Sequence, residues 1–398
     1  MKVRAIRALV AIGGLILIVA WGCGEGMTKQ EKWIQSAKED LSADLEVPVS
    51  ELAVADFEEV IFPDTSYGCP EPGMSYAQGT QEGYRLVLSA GGEQYPYHGG
   101  RDQAPILCQP AGLENGSFTA QLHDFDLHYE THGRGPVVMV VPNSWGLDIA
   151  GLRGMFAGLE KKATLVYFDP RGMGDSGAIR EESDMSMAAV RADFDALRQH
   201  LGLESVHAIG WSNGAGNLIL LATEYPESLE SATFVHGVAS FSQEDAAEFG
   251  ERFPDLTTRF MAFMQEMADE SLTDEVRTDR LKDLWLKEFF PLQMADREAG
   301  QSLLDQAFGD AEFSWAHGQY ANRESMAGFD TRDQLAAIPV RSLVIAGAHD
   351  MSSPDKVKEL ADGLSDSVYV LFENSGHFSP LEEPELFESV VFDFIDAK

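Results

Sequence analysis

The chain has 398 residues, long for one domain, with 44% hydrophobic and 24% charged residues. That is enough apolar mass for a large core, and it excludes a disordered or fibrous polypeptide. Its 29 Lys and Arg stand against 65 Asp and Glu, a formal net charge of −36 at pH 7, which gives no electrostatic route to a phosphate backbone or an anionic lipid surface and so argues against nucleic-acid binding.

Lys2, Arg4 and Arg7 precede an apolar run from Ala8 to Ala20, followed by Trp21-Gly22-Cys23-Gly24. As a helix this run reaches about 20 Å, short of the ~30 Å hydrocarbon core, so residues 1–22 read as a signal peptide and not as a spanning helix. Cys23, directly after Gly22, resembles the lipid-attachment cysteine of bacterial lipoproteins. Two residues depart from that pattern: Ala20 stands where leucine is usual, and Trp21 is bulky for its place. The expectation is an exported protein, periplasmic or at the cell surface, held to the membrane by a lipid on Cys23; plain secretion is the alternative. Cys69 and Cys108 are then the cysteines left outside the signal, and an oxidising compartment favours pairing them. Their separation closes a loop worth about 4 kcal/mol in the chain-entropy treatment. Zinc is the other use of two cysteines, but neither a Cys-x-x-Cys nor a suitable His pair stands beside them.

Residues 24–112 read as a small domain of mixed α and β structure. Trp33, Ile34, Ala37 and Leu41 have helical spacing over Gln30–Leu45. Tyr84–Ser89 and Gln94–His98 read as short strands about the Gly91-Gly92 turn. The pattern Gly68-Cys69-Pro70, Pro72-Gly73, Tyr76, Gly83-Tyr84, Tyr95 and Tyr97-His98 resembles a small secreted domain of bacterial proteins with no assigned activity, and its tyrosines and His98 read as packed on a small sheet. Pro110–Ser117 is rich in turn formers and reads as a linker.

From Phe118 onward, short apolar runs alternate with helical segments. The runs are Val137–Val141, Thr164–Phe168, Val206–Ile209, Ala232–Val235, Ser342–Ala346 and Val368–Phe372; the helices include Met185–Leu201 and Gly216–Glu224. Buried apolar strands alternating with amphipathic helices predict an α/β fold with a mostly parallel sheet covered on both faces. Between Phe241 and Asp333 the strands stop, and that stretch reads as an all-helical lid.

Gly210-Trp211-Ser212-Asn213-Gly214 lies between a strand and a helix, the setting of a nucleophile elbow, whose tight turn needs small residues two positions either side of the serine. A serine hydroxyl needs a base and an orienting acid, expected later in the chain as acid and then histidine. Asp350 follows the strand Ser342–Ala346, and His377 follows Val368–Phe372. His377 would take the Ser212 proton and pass it to the leaving group, while Asp350 would hold the ring and stabilise the imidazolium.

Together with Asp169-Pro170-Arg171-Gly172-Met173-Gly174-Asp175-Ser176, Gly347–Asp350 and Ser375-Gly376-His377 followed by Glu383-Pro384-Glu385, these motifs make residues 118–398 resemble an α/β-hydrolase of the proline iminopeptidase-like branch. The resemblance implies an acyl-enzyme hydrolase of small amides or esters that needs neither cofactor nor metal. It ranks aminopeptidase chemistry on a short peptide first and carboxylesterase or lactonase chemistry second. The loop after the first long strand departs from the family's His-Gly-Gly-Pro-Gly: here it reads Pro142-Asn143-Ser144-Trp145-Gly146. An oxyanion hole needs backbone N–H groups and not particular side chains, so the Asn213 amide with that of Asn143 or Ser144 is the expected donor set. Gly172-Met173-Gly174-Asp175-Ser176-Gly177 formally matches a dinucleotide fingerprint, yet the hydrolase loop accounts for all of these residues together. His349 reads as a neighbour of Asp350, and His236 as a packed or solvated side chain, with pocket lining as the alternative. The alternative from another class is a surface binding lipoprotein whose hydrolase domain is only a scaffold.

Overall fold

In the computed structural model the described residues are 27–45, 47–69, 77–90, 93–100, 103–108, 113–122, 125–326 and 328–397. The apolar run Ala8–Ala20 and Cys23 lie outside them, and no helix among the described residues is long and apolar enough to cross a membrane. The chain divides into two compact units, one holding Tyr76–Cys108 with residues up to Gly68, the other holding Gln109–Lys398.

In the first unit a helix, Lys29–Leu45, accompanies four antiparallel strands in sequence order: β1 (Ala53–Asp64), β2 (Gln78–Ala90), β3 (Glu93–Gly100) and β4 (Ile106–Leu107). Ala37 and Leu41, one helical turn apart, are buried in a cluster with Tyr84, Leu86, Leu88 and Tyr97. The alternation of Tyr84, Leu86 and Leu88 puts all three on one face of β2. Trp33 stacks on Tyr84 at 4.3 Å, and the Tyr97 hydroxyl donates to Asp40 Oδ2 at 2.9 Å. The predicted strands thus lie inside β2 and β3, and Tyr84, Tyr95 and Tyr97 pack in the sheet's apolar cluster, while Tyr76 lies outside the described residues. β1 was not expected: with four acidic residues and mostly exposed side chains, it has no apolar alternation to reveal it. Cys69 and Cys108 are disulfide-bonded.

The second unit is built on β5 (Gly116–Leu122), β6 (Phe125–Gly133), β7 (Val137–Val141), β8 (Thr164–Phe168), β9 (Val206–Trp211) and β10 (Leu229–Val235). A short ribbon follows, β11 (Ser240–Phe241) against β12 (Phe329–Asp330), and then β13 (Ser342–Gly347) and β14 (Ser367–Phe372). Eight strands form one sheet in the order β14-β13-β10-β9-β7-β8-β6-β5. The strands from β14 to β8 are parallel, and the β6 and β5 edge is antiparallel. Both faces are dry: Met139 and Val141 enter one apolar cluster with Phe194 and Leu218, while Val138 and Val140 enter the other with Leu152 and Phe156. That is why the central strands read as unbroken apolar runs. The antiparallel edge begins at Gly116, paired with Thr131, inside the stretch that reads as linker.

Between β11 and β12 run the helices Gln243–Arg252, Pro254–Met267, Asp274–Leu284, Arg297–Phe308 and Trp315–Met326, with a π-helical turn at Trp285–Phe289. The two-stranded ribbon closes the base of this helical excursion. Its inner aromatics meet the core: Trp285 stacks on Trp145 at 5.3 Å, and Phe290 lies against Trp211 and Phe378.

Candidate active site

Four neighbouring parallel strands end at one edge of the sheet, and each hands a polar residue to it. β9 leads to Ser212, β10 to His236, β13 to Asp350 and β14 to His377. Ligand sites of open α/β sheets form at this carboxyl edge.

Ser212 has φ 56° and ψ −118°, a conformation that an L-residue adopts only under constraint. The constraint comes from both sides. Its amide donates to Val235 O at 2.9 Å, and the helix Asn213–Glu224 starts immediately after it. A Cβ at Gly210 would lie 2.4 Å from Gly214 O, and one at Gly214 would lie 2.5 Å from Val141 O. The two glycines let the strand, turn and helix approach this closely and so hold the serine in place.

His377 is carried on the loop after β14, and that loop is braced throughout. Its amide donates to Gln293 O at 2.7 Å. Glu382 accepts from the amides of Ala295, Gly376 and Phe378, and Ser375 Oγ donates to Glu383 at 2.7 Å. His377 Nδ1 sits 2.9 Å from Asp350 Oδ1 and 3.0 Å from Oδ2, and both side chains are buried. Asp350 Oδ1 also accepts from the Ser352 amide at 2.9 Å. Burial alone would push the Asp350 carboxyl up, but His377 and His236 beside it outweigh that and hold it well below the usual carboxylate range. The acid is therefore ionised, as an orienting partner must be.

The loop 142–146 is fastened to the elbow helix by two asparagines. Asn143 is fully buried and its Oδ1 accepts from the Gly214 amide at 2.7 Å; Asn217 Nδ2 donates to Pro142 O at 3.0 Å. Asn213 Oδ1 accepts from both the Ser144 amide, at 2.8 Å, and Ser144 Oγ, at 2.9 Å. Of the expected oxyanion donors, then, the Asn213 amide stands at the first turn of its helix, where N–H groups have no intrahelical acceptor, while the Ser144 amide is engaged by the Asn213 side chain. Trp145 packs on Trp285 and Trp211 and ties this loop to the helical excursion.

His349 is exposed beside Asp350. His236 is packed in the interior, one of the readings that its sequence context favoured. Its Nδ1 lies 2.7 Å from Asp350 Oδ2. Its position at the end of the strand beside Ser212 was the available signal. In the Asp169–Gly177 segment, Asp169 bonds the His128 ring and the Ile149 and Asp175 amides, and Arg171 holds Asp184 and Asp193, so the glycine pattern serves an internal network. Among the described residues, two groups bring three possible metal ligands together, Cys69/His98/Cys108 and His236/Asp350/His377. In the first the sulfurs are in the disulfide, and in the second Asp350 accepts from His377 while His236 Nδ1 lies 2.7 Å away without a hydrogen bond.

Comparison with known proteins agrees with this geometry. The sequence profile of the alpha/beta hydrolase fold matches residues 137–384, and that of a domain of unknown function (DUF8738) matches residues 34–108. The chain is similar to the proline iminopeptidase of Clostridioides difficile, with 23% identity over 60% of this chain and 82% of the relative. Among solved structures it is similar to an alpha/beta fold family hydrolase from Bacillus anthracis (TM-score 0.60, 20% identity, 70% of this chain and 99% of that one). It is also similar to the enol-lactonase of Burkholderia xenovorans (TM-score 0.53, 21% identity, 70% and 100%). At these identities the structural likeness speaks to the fold, and the relatives span peptidase and lactonase names alike.

Proposed function

Because the chain belongs to the alpha/beta hydrolase fold family, we propose that it is a serine hydrolase that cleaves a small ester or amide through an acyl-enzyme. Ser212 Oγ attacks the substrate carbonyl carbon. His377 Nε2 takes the hydroxyl proton and returns it to the leaving alcohol or amine, whose bond to the acyl carbon breaks. Water, deprotonated by the same nitrogen, then releases the acid and frees Ser212. Asp350 holds the imidazole through Nδ1 and balances its charge when protonated. The observation that carries this reading is the ionised, buried Asp350 at 2.9 Å from His377 Nδ1, on the same sheet edge as a serine held at positive φ.

The developing oxyanion is received by the Asn213 amide, with the positive end of the helix Asn213–Glu224 behind it, and by Ser144 or Asn143. For the Ser144 amide to serve, the substrate oxygen takes the place that Asn213 Oδ1 holds in the resting site. The first substrate class is an aminoacyl amide or short peptide, in line with the iminopeptidase likeness. The second is a carboxylic ester or lactone, favoured by the Trp145–Trp285 stack where the peptidase loop carries proline. We place the enzyme outside the cytoplasm, on a lipid at Cys23, from the pattern Lys2 to Cys23.

A panel of p-nitrophenyl esters, lactones and aminoacyl anilides, run with wild type and Ser212→Ala, tests the substrate reading. Turnover of prolyl or other aminoacyl anilides above the esters supports the first class; the reverse order supports the second. Turnover that survives in Ser212→Ala contradicts the mechanism.

A further inference from the structure

The sheet edge carries one chemistry-bearing side chain that this mechanism does not use. His236 follows β10, the strand between the one delivering Ser212 and the one delivering Asp350. Its side chain is fully buried: Nδ1 lies 2.7 Å from Asp350 Oδ2, with the ring N–H off the line to that oxygen and aligned on no other acceptor, and Nε2 lies 2.9 Å from Ser379 Oγ. Its φ of 55° is shared, among the described non-glycine residues of this unit, only by Ser212. Such a conformation costs energy and persists where the surroundings over-determine it.

The hydrogen-bond directions assign its tautomer. The Ser379 amide points at His236 Nε2 at 3.4 Å and can only donate, so Nε2 is the acceptor and the ring proton is assigned to Nδ1, on the side of the carboxylate but not aimed along the line to Oδ2. Asp350 then has close neighbours on both oxygens. Oδ1 takes the Ser352 amide and His377, while Oδ2 shares His377 and lies 2.7 Å from His236 Nδ1. Without His236, Oδ2 keeps only its share of His377, and the carboxylate is free to turn about its Cβ–Cγ bond.

We propose that His236 is a positioning residue for the triad, an inference that rests on Ser212, Asp350 and His377 acting together. Its Nδ1–H fixes the plane of the Asp350 carboxylate so that the His377 ring stays aimed while it gains and loses the serine proton. Through Ser379, two residues beyond His377, it also links the acid's loop to the histidine's loop. A histidine that merely fills space needs its volume but not its Nδ1–H, and this difference is what can be tested.

The first measurement uses the wild-type full chain labelled with ¹⁵N-histidine, whose spectrum reports which nitrogen of each ring carries hydrogen. His236 protonated on Nδ1 alone is expected; protonation on Nε2 overturns the proposal and needs no variant. The second is steady-state kinetics on an ester substrate. His236→Ala is expected to lower kcat about 10- to 100-fold with KM within about twofold, because a close polar contact that orients a catalytic group is lost. His236→Asn, whose Nδ2–H can stand in for Nδ1–H, is expected to recover activity to within about fivefold of wild type. Equal losses in the two variants, or no loss of kcat in either, overturn the proposal. Should His236→Ala fail to fold, the Asn variant and the tautomer decide. Activity retained by Ser212→Ala refutes the triad itself, whereas a dead Ser212→Ala beside a fully active His236→Ala refutes only the role of His236.

Discussion

Trp211 Nε1 donates a 2.8 Å hydrogen bond to the carbonyl of His377, 166 residues away in sequence. The residue next to the nucleophile thus holds the backbone of the proposed base, and its ring also lies 5.4 Å from the His377 ring. Trp211 is almost fully buried, so the bond has no water to replace it. Trp211→Phe keeps most of the apolar contact and leaves a buried carbonyl unpaired. It is expected to cost about 1–3 kcal/mol in stability. It should also lower kcat about tenfold by loosening the base, since small displacements of a catalytic group are costly. Denaturant unfolding together with ester kinetics checks both effects; a variant that loses stability but keeps kcat shows that the bond serves the fold alone.

The engaged Ser144 amide makes a second prediction. If Asn213 Oδ1 rests where the oxyanion must bind, removing it spares the substrate a displacement. Asn213→Ala is then expected to react about fivefold faster with a fluorophosphonate, the equivalent of one ordinary hydrogen bond of about 1 kcal/mol. A tenfold slower reaction would mean instead that the asparagine holds the loop 142–146 in its working shape.

Asp148 gives a pH-dependent stability with a definite sign. It caps the helix Ile149–Phe156 by accepting from Gly151, and burial pushes its carboxyl up from 3.8 to about 6, despite the hydrogen bonds it accepts. The folded state holds this proton more tightly than the unfolded one. Its stabilising effect is therefore complete below about pH 4 and is lost as the pH rises through 6. Asn caps as well as Asp and carries no charge. Asp148→Asn should match wild type near pH 4 and exceed it by about 3 kcal/mol at pH 8. Thermal unfolding at the two pH values checks this; a constant difference would place the effect in packing.

Much of this architecture was legible in the sequence because the central strands are buried on both faces. Val137–Val141 and Thr164–Phe168 are strands with the bounds that their apolar runs mark. The elbow and the Asp350–His377 pair were legible for another reason: each sits at a strand end, where chain direction alone sends it to one edge. What the sequence hid has physical causes. β1 is an exposed acidic strand without alternation, and β5 begins within a turn-rich stretch. The contact of His236 with Asp350 needs β10 and β13 to be neighbours, which the 106 mostly helical residues between Val235 and Ser342 conceal. Likewise, the engagement of the Ser144 amide depends on a side-chain rotamer and not on residue type.

Trp145 stands where the iminopeptidase loop pattern carries proline, and its partners give it a role. The stack on Trp285, at 5.3 Å and 10° between planes, joins the loop 142–146 to the π-helical turn of the helical excursion. Trp145→Ala is expected to cost about 2–3 kcal/mol through lost area and ring contacts. Amides over 281–294 should then exchange hydrogen faster than in wild type while those of β9 and β13 do not. Uniform acceleration across the sheet would contradict a local anchoring role.

Export and anchoring are tested apart from catalysis. In cells fed labelled palmitate, the wild-type chain should carry label in the membrane fraction, and Cys23→Ala should carry none. Label that persists in the variant would rule out Cys23 as the site.

The central claim is that Ser212 is an activated nucleophile, and covalent labelling tests it most directly. Purified chain is treated with a fluorophosphonate and digested, and the modified peptide is identified by mass spectrometry. The adduct is expected on Ser212 within Gly210–Gly214, absent in Ser212→Ala and strongly slowed in His377→Ala and Asp350→Asn. Folded wild type that takes up no label, or takes it up at another serine, would contradict the account and leave the hydrolase domain as a binding scaffold.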